Sequence, residues 1–203
     1  MHINSLFKFF KSATIHKLIS TAYLKVRILK YKSLSSCNNV HGKPNYIGPA
    51  LIRGEGKVIF DSNVNIGVVQ SPGFYSTYCY IDSRSSVSVI SIGENVYINN
   101  NACLISEGEG IFIGSNVLIG PNFNAFDSDF HELHPQNRLS KPQKTAKVEI
   151  GQNVFIGANV TILKGVAIGK NSVIASNSVV SKSIPGDVIA GGNPCKVIKD
   201  III

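Results

Sequence analysis

The chain has 203 residues, of which 44% are hydrophobic, and this is enough to bury the core of one domain. Tryptophan is absent and methionine occurs once, whereas isoleucine, valine, asparagine, glycine and serine are abundant, a composition that favours strands and tight turns. The net charge of +8 comes from residues 1–50, which hold eight lysines or arginines and no acidic residue. Residues 51–203 are balanced in charge, and we expect no nucleic-acid partner.

Residues 1–50 are predicted to form a basic amphipathic helical segment, with one or two helices before a polar connection at 37–49. Apolar residues recur there at roughly helical spacing with lysines between them, namely Phe7, Phe10, Leu18, Ile19, Ala22, Val26 and Leu29. Such a helix either packs on the rest of the protein or lies on an anionic membrane surface through residues 1–30. The sequence leaves both alternatives open.

The chain contains no apolar stretch of about 18 residues that could span a bilayer. Its N-terminal apolar residues are interrupted by lysines instead of being gathered into the core of a signal peptide. We therefore expect a cytoplasmic protein, either free or in contact with the inner face of the membrane.

The four cysteines are widely spaced and form no C-x-x-C pair, at Cys37, Cys79, Cys103 and Cys195. This spacing predicts neither a zinc knuckle nor a dithiol redox motif, and we expect reduced thiols and no metal site.

Residues 51–203 are dominated by a repeat of six residues. From Ile150 the chain divides into six consecutive units, I-G-Q-N-V-F, I-G-A-N-V-T, I-L-K-G-V-A, I-G-K-N-S-V, I-A-S-N-S-V and V-S-K-S-I-P. Each unit begins with an aliphatic residue and has Asn, Gly or Ser in its fourth position. The same pattern occurs at 92–109 and 113–124, and more loosely at 60–71, which gives thirteen clear units.

A period of six fits neither an amphipathic helix nor an ordinary two-sided strand. If each unit is a short strand followed by a turn, the aliphatic residue can point to a central axis while Asn or Gly adopts the left-handed backbone of the turn. Three units then close one triangular coil, and stacked coils share a continuous core. The repeat thus predicts an all-β solenoid, a left-handed parallel β-helix with a little over four coils.

Two breaks in the repeat are also informative. The step between residues 104 and 113 is nine instead of six, which predicts a small bulge at a corner around Gly108–Gly110. Residues 125–149 do not repeat and form an insertion too long for a corner, and long insertions in compact domains are usually functional or disordered. Beyond the last unit, residues 186–203 are predicted to form a C-terminal tail.

Over residues 92–200 the sequence resembles the hexapeptide-repeat acyltransferases, which include galactoside, maltose and serine acetyltransferases and polysaccharide O-acetyltransferases. Two stretches carry the resemblance beyond the repeat itself, D-S-D-F-H-E-L-H-P-Q-N-R at 127–138 and V-V-S-K-S-I-P-G-D-V-I-A-G-G-N-P-C-K-V-I-K at 179–199. The resemblance implies transfer of an acetyl group from acetyl-CoA, as a co-substrate, to a hydroxyl of a saccharide or lipopolysaccharide intermediate. It also implies a homotrimer.

The resemblance further implies roles for individual residues. When the first stretch is aligned on its Pro and Arg, the general base of the family falls on His131, with Glu132 where Pro is usual and His134 where Asp is usual. Acceptor contacts are implied for Asn99, Glu107, Asp129 and His134. Contacts with acetyl-CoA are implied for Ala158, Ser176, Ser181, Lys182, Lys196 and Lys199.

Transfer of an acetyl group from a thioester to an alcohol needs a base for the hydroxyl proton, and an imidazole suits this task. Three other functions are compatible with the same fold. They are N-acylation of a nucleotide-linked amino sugar, a non-catalytic scaffold, and a carbonic anhydrase that binds zinc through three histidines. The third is poorly supported because only His131 and His134 lie in the repeat domain.

Overall fold

The structure is a computed structural model that describes residues 13–139 and 144–202. Helix α1 spans Ala13–Leu34 and is followed by short strands that form three sheets. Phe7 and Phe10, which belong to the predicted helical pattern, lie outside the described residues.

The three sheets are built from strands that recur in a fixed order along the chain. Sheet A contains β1 (Val40–His41), β4 (Lys57–Phe60), β7 (Val89–Ile92), β10 (Ile111–Ile113), β13 (Val148–Ile150) and β16 (Ala167–Ile168). Sheet B contains β2 (Asn45–Tyr46), β5 (Asn65–Ile66), β8 (Tyr97–Ile98), β11 (Leu118–Ile119), β14 (Phe155–Ile156), β17 (Val173–Ile174), β19 (Val188–Gly191) and β20 (Lys196–Asp200). Sheet C contains β3 (Ala50–Arg53), β6 (Cys79–Ser83), β9 (Cys103–Ser106), β12 (Asn124–Phe126), β15 (Thr161–Ile162) and β18 (Val179–Val180).

From β1 to β18, strands three positions apart in the chain pair in parallel, so the chain winds from A to B to C and back to A. The aliphatic positions of the repeat stack in register, as Ile98, Ile119, Ile156 and Ile174 do in sheet B. These side chains are almost completely buried and fill the axis of the prism. The predicted left-handed parallel β-helix is thereby confirmed.

The turns at the edges explain the asparagines of the repeat. Ten non-glycine turn residues with a left-handed backbone are Asn or Asp, with φ between 57° and 62°. On the second edge, where sheet B passes to sheet C, the side-chain amides form a ladder in which Asn101 donates to Asn122, Asn122 to Asn159 and Asn159 to Asn177, at 2.8–3.0 Å. Asparagine thus both tolerates the turn and links one coil to the next.

The β-helix is longer than the sequence predicted. Within the described residues it has six complete coils, and its first strand begins at Val40, about ten residues before the expected boundary at residue 50. The early coils were recognised only loosely, at 60–71, because their turns carry inserted residues, as at 67–78, and these break the period of six. The bulge predicted at Gly108–Gly110 is present, and Gly110 has a φ of 100°.

Helix α1 packs on the side of the β-helix. The guanidinium of Arg27, which is buried, donates to the backbone carbonyl of Phe74 at 2.7 Å and also to that of Thr77. The ring of Tyr31 stacks on that of Tyr78 with centroids 4.3 Å apart. Packing on the rest of the protein, one of the two alternatives for this helix, is therefore observed.

Candidate active site

The third edge of the prism, where sheet C passes to sheet A, gathers most of the chemistry-bearing side chains. Because each edge stacks the same turn of successive coils, residues far apart in sequence become neighbours there. The turns after β6, β9, β12, β15 and β18 contribute Arg84, Glu107, the insertion that begins at residue 127, Lys164, and the pair Ser181 and Lys182. The predicted insertion thus leaves the prism at this edge.

Asp127 anchors the insertion where it leaves the prism. Its side chain is fully buried, and its carboxylate accepts hydrogen bonds from the Ser106 hydroxyl at 2.7 Å and from the backbone N–H groups of Glu107, Gly108 and Gly110 at 2.7, 3.1 and 2.8 Å. A buried carboxylate is stable when its oxygens accept several such bonds. The carboxylate of Asp127 therefore stabilises the bulge at 107–110 and does not contact the imidazole of His131.

Glu107 lies at the centre of a polar network on this edge. Its Oε1 accepts from Nη1 of Arg84 at 2.9 Å, and its Oε2 accepts from the hydroxyl of Ser128 at 3.0 Å. Arg84 also donates through Nε to Asp82 at 3.0 Å, and these hydrogen bonds raise the pKa of the guanidinium although burial acts in the opposite sense. Both carboxylate oxygens of Glu107 are thus occupied within the chain.

His131 projects into solvent from the insertion. Its Nδ1 lies 3.0 Å from the backbone carbonyl of Arg138, and because a carbonyl can only accept, Nδ1 carries the proton. In the neutral imidazole this leaves the lone pair on Nε2, which is free to accept a proton from a ligand. The residue before it, Phe130, has a φ of 61°, an unusual backbone for a bulky side chain. Strain of this kind is often found beside functional groups.

The other polar residues of the insertion have different surroundings. Asp129 forms an ion pair with Lys164, with Oδ2 and Nζ 3.1 Å apart. His134 is exposed and precedes a short 3-10 helix, Pro135–Asn137, whose last residue donates its backbone N–H to the His134 carbonyl at 2.9 Å. Residues 140–143 of the insertion lie outside the described residues.

The second edge carries three further candidate residues, Asn99, Ala158 and Ser176. Ala158 and Ser176 occupy equivalent positions in successive coils, and the Ala158 N–H donates to the Ser176 hydroxyl at 3.1 Å. Asn99 begins the turn after β8 on the same edge, and its side-chain oxygen accepts from the N–H of Asn100 at 2.7 Å. In a single chain these residues and His131 therefore lie on different edges of the prism.

The tail places two candidate lysines on an added strand. Strand β20 pairs antiparallel with β19 at the end of sheet B, and Lys196 and Lys199 stand opposite Gly191 and Ile189. Both lysines are exposed, as is Lys182 at the end of β18. These basic side chains are thus available to an anionic ligand at the C-terminal end of the prism.

The structure separates three asparagines that the sequence presents as equivalent. Asn101 belongs to the ladder of the second edge. Asn100 is buried, and its amide nitrogen donates to the carbonyls of Val68, Ser71 and Pro72 at 2.9–3.2 Å, which fixes the inserted turn at 67–78. Asn99 is left as the candidate for contact with a ligand.

The comparisons with known proteins agree with this fold. A family model described as bacterial transferase hexapeptide (six repeats) matches residues 147–182. Galactoside O-acetyltransferase of Escherichia coli is 42% identical over 114 residues, which are 56% of this chain and 55% of that protein. These matches support the hexapeptide-repeat acetyltransferase family for this chain. It spans 53–61% of the length of three curated relatives, including galactoside O-acetyltransferase of Lactococcus lactis.

Two solved structures extend the likeness to most of the chain. A galactoside acetyltransferase in complex with coenzyme A is 29% identical with a TM-score of 0.55, covering 88% of this chain and 82% of that one. The hexapeptide-repeat acetyltransferase VCA0836 of Vibrio cholerae, complexed with acetyl coenzyme A, is 26% identical with a TM-score of 0.55, covering 96% and 92%. This hexapeptide-repeat chain therefore shares its architecture with two proteins that bind coenzyme A or its acetyl ester.

Sequence reasoning missed Arg84 and the unusual backbone of Phe130. Arg84 lies in a turn that interrupts the repeat, and no motif marks it. Phe130 could be recognised only through its left-handed backbone, which the sequence does not show. Within the described residues, no group of three or more His, Cys, Asp or Glu side chains is placed to hold a metal ion, and no helix is long and apolar enough to cross a bilayer.

Proposed function

We propose that this protein is an acetyl-CoA-dependent O-acetyltransferase that uses His131 as its general base. The observation that carries the proposal is the hydrogen bond from His131 Nδ1 to the Arg138 carbonyl on an exposed residue, because in the neutral imidazole it leaves Nε2 as the basic nitrogen. This is the arrangement that a general base requires. The coenzyme A complexes of two structural relatives support the choice of donor.

The reaction needs no covalent enzyme intermediate. Nε2 of His131 removes the proton of the acceptor hydroxyl while the oxygen attacks the thioester carbonyl of acetyl-CoA. The tetrahedral intermediate then collapses with cleavage of the carbon–sulfur bond, and His131 returns the proton to the leaving thiolate. The products are the acetyl ester and coenzyme A, and His131 is restored to its neutral form.

A saccharide is the proposed acceptor. Curated relatives from Escherichia coli and Lactococcus lactis are galactoside O-acetyltransferases, and one structural relative is a maltose O-acetyltransferase. The exposed polar side chains around His131, including His134, provide the hydrogen-bonding groups that a sugar needs. Lipid-linked or polymeric saccharides belong to the same class of acceptor.

We infer a homotrimer in which each active site lies between two copies. His131, Ser181 and Lys182 lie on the third edge, whereas Asn99, Ala158 and Ser176 lie on the second edge. These two groups can form one site only if they come from different copies. The outer face of sheet B carries a row of half-exposed apolar side chains, Tyr97, Leu118 and Phe155, which suits contact with another copy.

A mixed-trimer experiment tests this arrangement. The variant His131→Ala lacks the base, and a bulky substitution, Ala158→Trp, is expected to block the acetyl-CoA groove on the other edge. Each variant alone should be inactive, whereas refolding the two together should restore part of the activity, because some sites then combine two intact edges. Absence of restored activity in trimers shown to be mixed would contradict a shared site.

The general base is tested by thiol release from acetyl-CoA, with methyl β-galactoside as the trial acceptor. His131→Ala should lower turnover by about 10²–10⁴-fold, the usual loss when a positioned base is removed. His134→Ala is the matched control, since it removes an imidazole from the same loop and should act mainly on the KM for the acceptor. A His131→Ala protein that keeps more than about a tenth of the turnover would contradict the assignment.

We also propose that helix α1 contacts an anionic phospholipid surface. The face that it turns away from the β-helix is apolar and exposed, with Leu18, Val26 and Leu29 each 63–65% accessible. Lysines flank this stripe, at Lys17, Lys25, Lys30 and Lys32, and residues 13–54 contain no acidic residue. An apolar stripe bordered by lysines is complementary to acidic lipid headgroups over an apolar interior.

Vesicle sedimentation distinguishes the lipid from a second copy of the chain as the occupant of this face. The protein should bind vesicles that contain phosphatidylglycerol and not vesicles of phosphatidylcholine alone. Replacing both Lys17 and Lys25 by Gln should weaken binding, whereas Lys170→Gln, on an exposed turn of the prism, should leave it unchanged. If Leu18→Ser and Leu29→Ser change the oligomeric state and not the sedimentation, the face is instead an interface between copies.

A further inference from the structure

Phe130 occupies a backbone conformation that its side chain does not favour. Among the described non-glycine residues with a left-handed φ, all the others are Asn or Asp in turns, which adopt this conformation readily. Phe130 has a bulky side chain for which this conformation is unfavourable, and it directly precedes His131. The direction of the His131 side chain therefore depends on contacts that hold the turn at Phe130.

Two sets of contacts hold this turn. The backbone N–H of Phe130 donates to the hydroxyl of Ser128 at 2.9 Å, and that hydroxyl donates in turn to Oε2 of Glu107 at 3.0 Å. The ring of Phe130 packs edge-on against Phe126, with centroids 5.4 Å apart. The guanidinium of Arg84 lies over the same ring, 5.2 Å from its centroid. The turn is thus fixed both through its backbone and through its ring.

Arg84 joins the two sets. It contacts the ring of Phe130 directly, and its Nη1 donates to Glu107 Oε1 at 2.9 Å, which holds the carboxylate that accepts from Ser128. Its Nε bond to Asp82, at 3.0 Å, fixes the guanidinium itself. Because Glu107 has both oxygens engaged and its side chain is only 18% exposed, it has little capacity left to bind an acceptor.

We propose that Arg84 and Glu107 are positioning residues for His131, which they hold through Ser128 and the turn at Phe130. The inference rests on the proposed function of His131. It gives Glu107 a different task from the acceptor contact implied by the resemblance. A guanidinium suits this position because it can donate to two carboxylates and lie flat on an aromatic ring at the same time, which a lysine cannot do.

The test measures kcat and KM separately for acetyl-CoA and methyl β-galactoside. Arg84→Gln and Glu107→Gln should lower kcat by about 10- to 100-fold, the loss expected when a catalytic group is displaced by about 1 Å, while KM for the galactoside stays within about twofold. Arg84→Lys should recover only part of the loss. Arg53→Gln is the matched control, because Arg53 is exposed on the same sheet and one coil away.

A double variant separates positioning from a general loss of structure. If Arg84 acts through His131, Arg84→Gln should cause no further loss of turnover in a His131→Ala background, since the group that it positions is already absent. A multiplicative loss in the double variant would overturn the proposal. So would a Glu107→Gln protein with unchanged kcat and a raised KM for the galactoside, which is the signature of acceptor binding.

Ser128→Ala provides a second route if Arg84→Gln fails to fold. It removes the hydroxyl that links Glu107 to Phe130 and leaves Arg84 in place, and it should also lower kcat with little change in KM. Normal kcat in a folded Ser128→Ala protein would refute the linkage. Failure of the proposed function gives a different result, because His131→Ala would then itself keep its turnover.

Discussion

Replacement of Asp127 should destabilise the protein more than replacement of any exposed carboxylate. The side chain is fully buried and its two oxygens accept four hydrogen bonds, three of them from backbone N–H groups at 107–110. Asp127→Ala leaves these donors without an acceptor. A hydrogen bond to a charged group contributes about 1.5–3 kcal/mol, and such losses are not additive, so we expect the free energy of unfolding to fall by about 3–5 kcal/mol.

Asp127→Asn should not rescue the loss, although it has nearly the same shape. Oδ2 accepts from the Ser106 hydroxyl and from the N–H groups of Gly108 and Gly110. An amide nitrogen at that position would present hydrogens to donors, and turning the amide over would move the conflict to the N–H of Glu107. We expect a loss of about 2–4 kcal/mol for this variant.

Urea unfolding followed by circular dichroism, at one fixed protein concentration, measures these differences. Glu149→Gln is the control, because Glu149 pairs with Lys147 at 2.8 Å and both side chains are 49% exposed. Its loss should stay below about 1 kcal/mol. Amide hydrogen exchange should also accelerate at 107–110 in the Asp127 variants. An Asp127→Asn protein within about 1 kcal/mol of the wild type, with unchanged exchange at these amides, would refute the reasoning.

Three further predictions concern the ladder, the thiols and the tail. Asn159 has a φ of 57° and bonds to Asn122 and Asn177, so Asn159→Ala should be less stable than Asn159→Gly by about 1–2 kcal/mol in urea unfolding, because glycine keeps the left-handed turn. Burial raises the pKa of the Cys79 thiol to about 11, so its contribution to stability is complete below the unfolded value of about 8.5 and is lost as pH rises to about 11. Unfolding of the wild type should therefore become easier over this range relative to Cys79→Ala, and iodoacetamide should label Cys37 well before Cys79. Charge reversal in Lys196→Glu or Lys199→Glu should weaken acetyl-CoA binding several-fold in titration calorimetry, more at low salt, and unchanged affinity in both would exclude these lysines from the site.

The fold was predictable from the sequence because one local rule determines it. Each unit supplies an aliphatic residue for the axis and an asparagine or glycine for the turn, and both residue types recur in the sequence at a fixed spacing. The prediction weakened only where turns carry extra residues, as at 67–78 and 84–88, because the period of six is lost there. Buried contacts such as those of Asn100 hold these turns, and they depend on residues about 30 positions away.

The site was predictable only in part. The insertion was predicted because it interrupts the repeat, and His131 became the candidate base because its motif resembles that of a known family. The tautomer of His131 depends on the carbonyl of Arg138, and the turn before it depends on Arg84, Glu107 and Ser128. Every residue has a backbone carbonyl, so the sequence does not show which one His131 contacts. The contacts of Arg84 and Glu107 join turns of different coils, so no local motif predicts them.

The geometry of the prism explains why the site lies where the repeat fails. In the regular coils, residues 18 positions apart stack on one edge, as Asn159 and Asn177 or Ala158 and Ser176 do. Such an edge repeats the same small side chains at a regular spacing. On the third edge, the inserted residues bring together turns that differ in length and charge, and this allows a buried carboxylate, an arginine bridge and an exposed imidazole to coexist within three coils. The regular coils therefore give an edge of uniform small side chains, and the insertion gives the edge on which the candidate base and its polar neighbours meet.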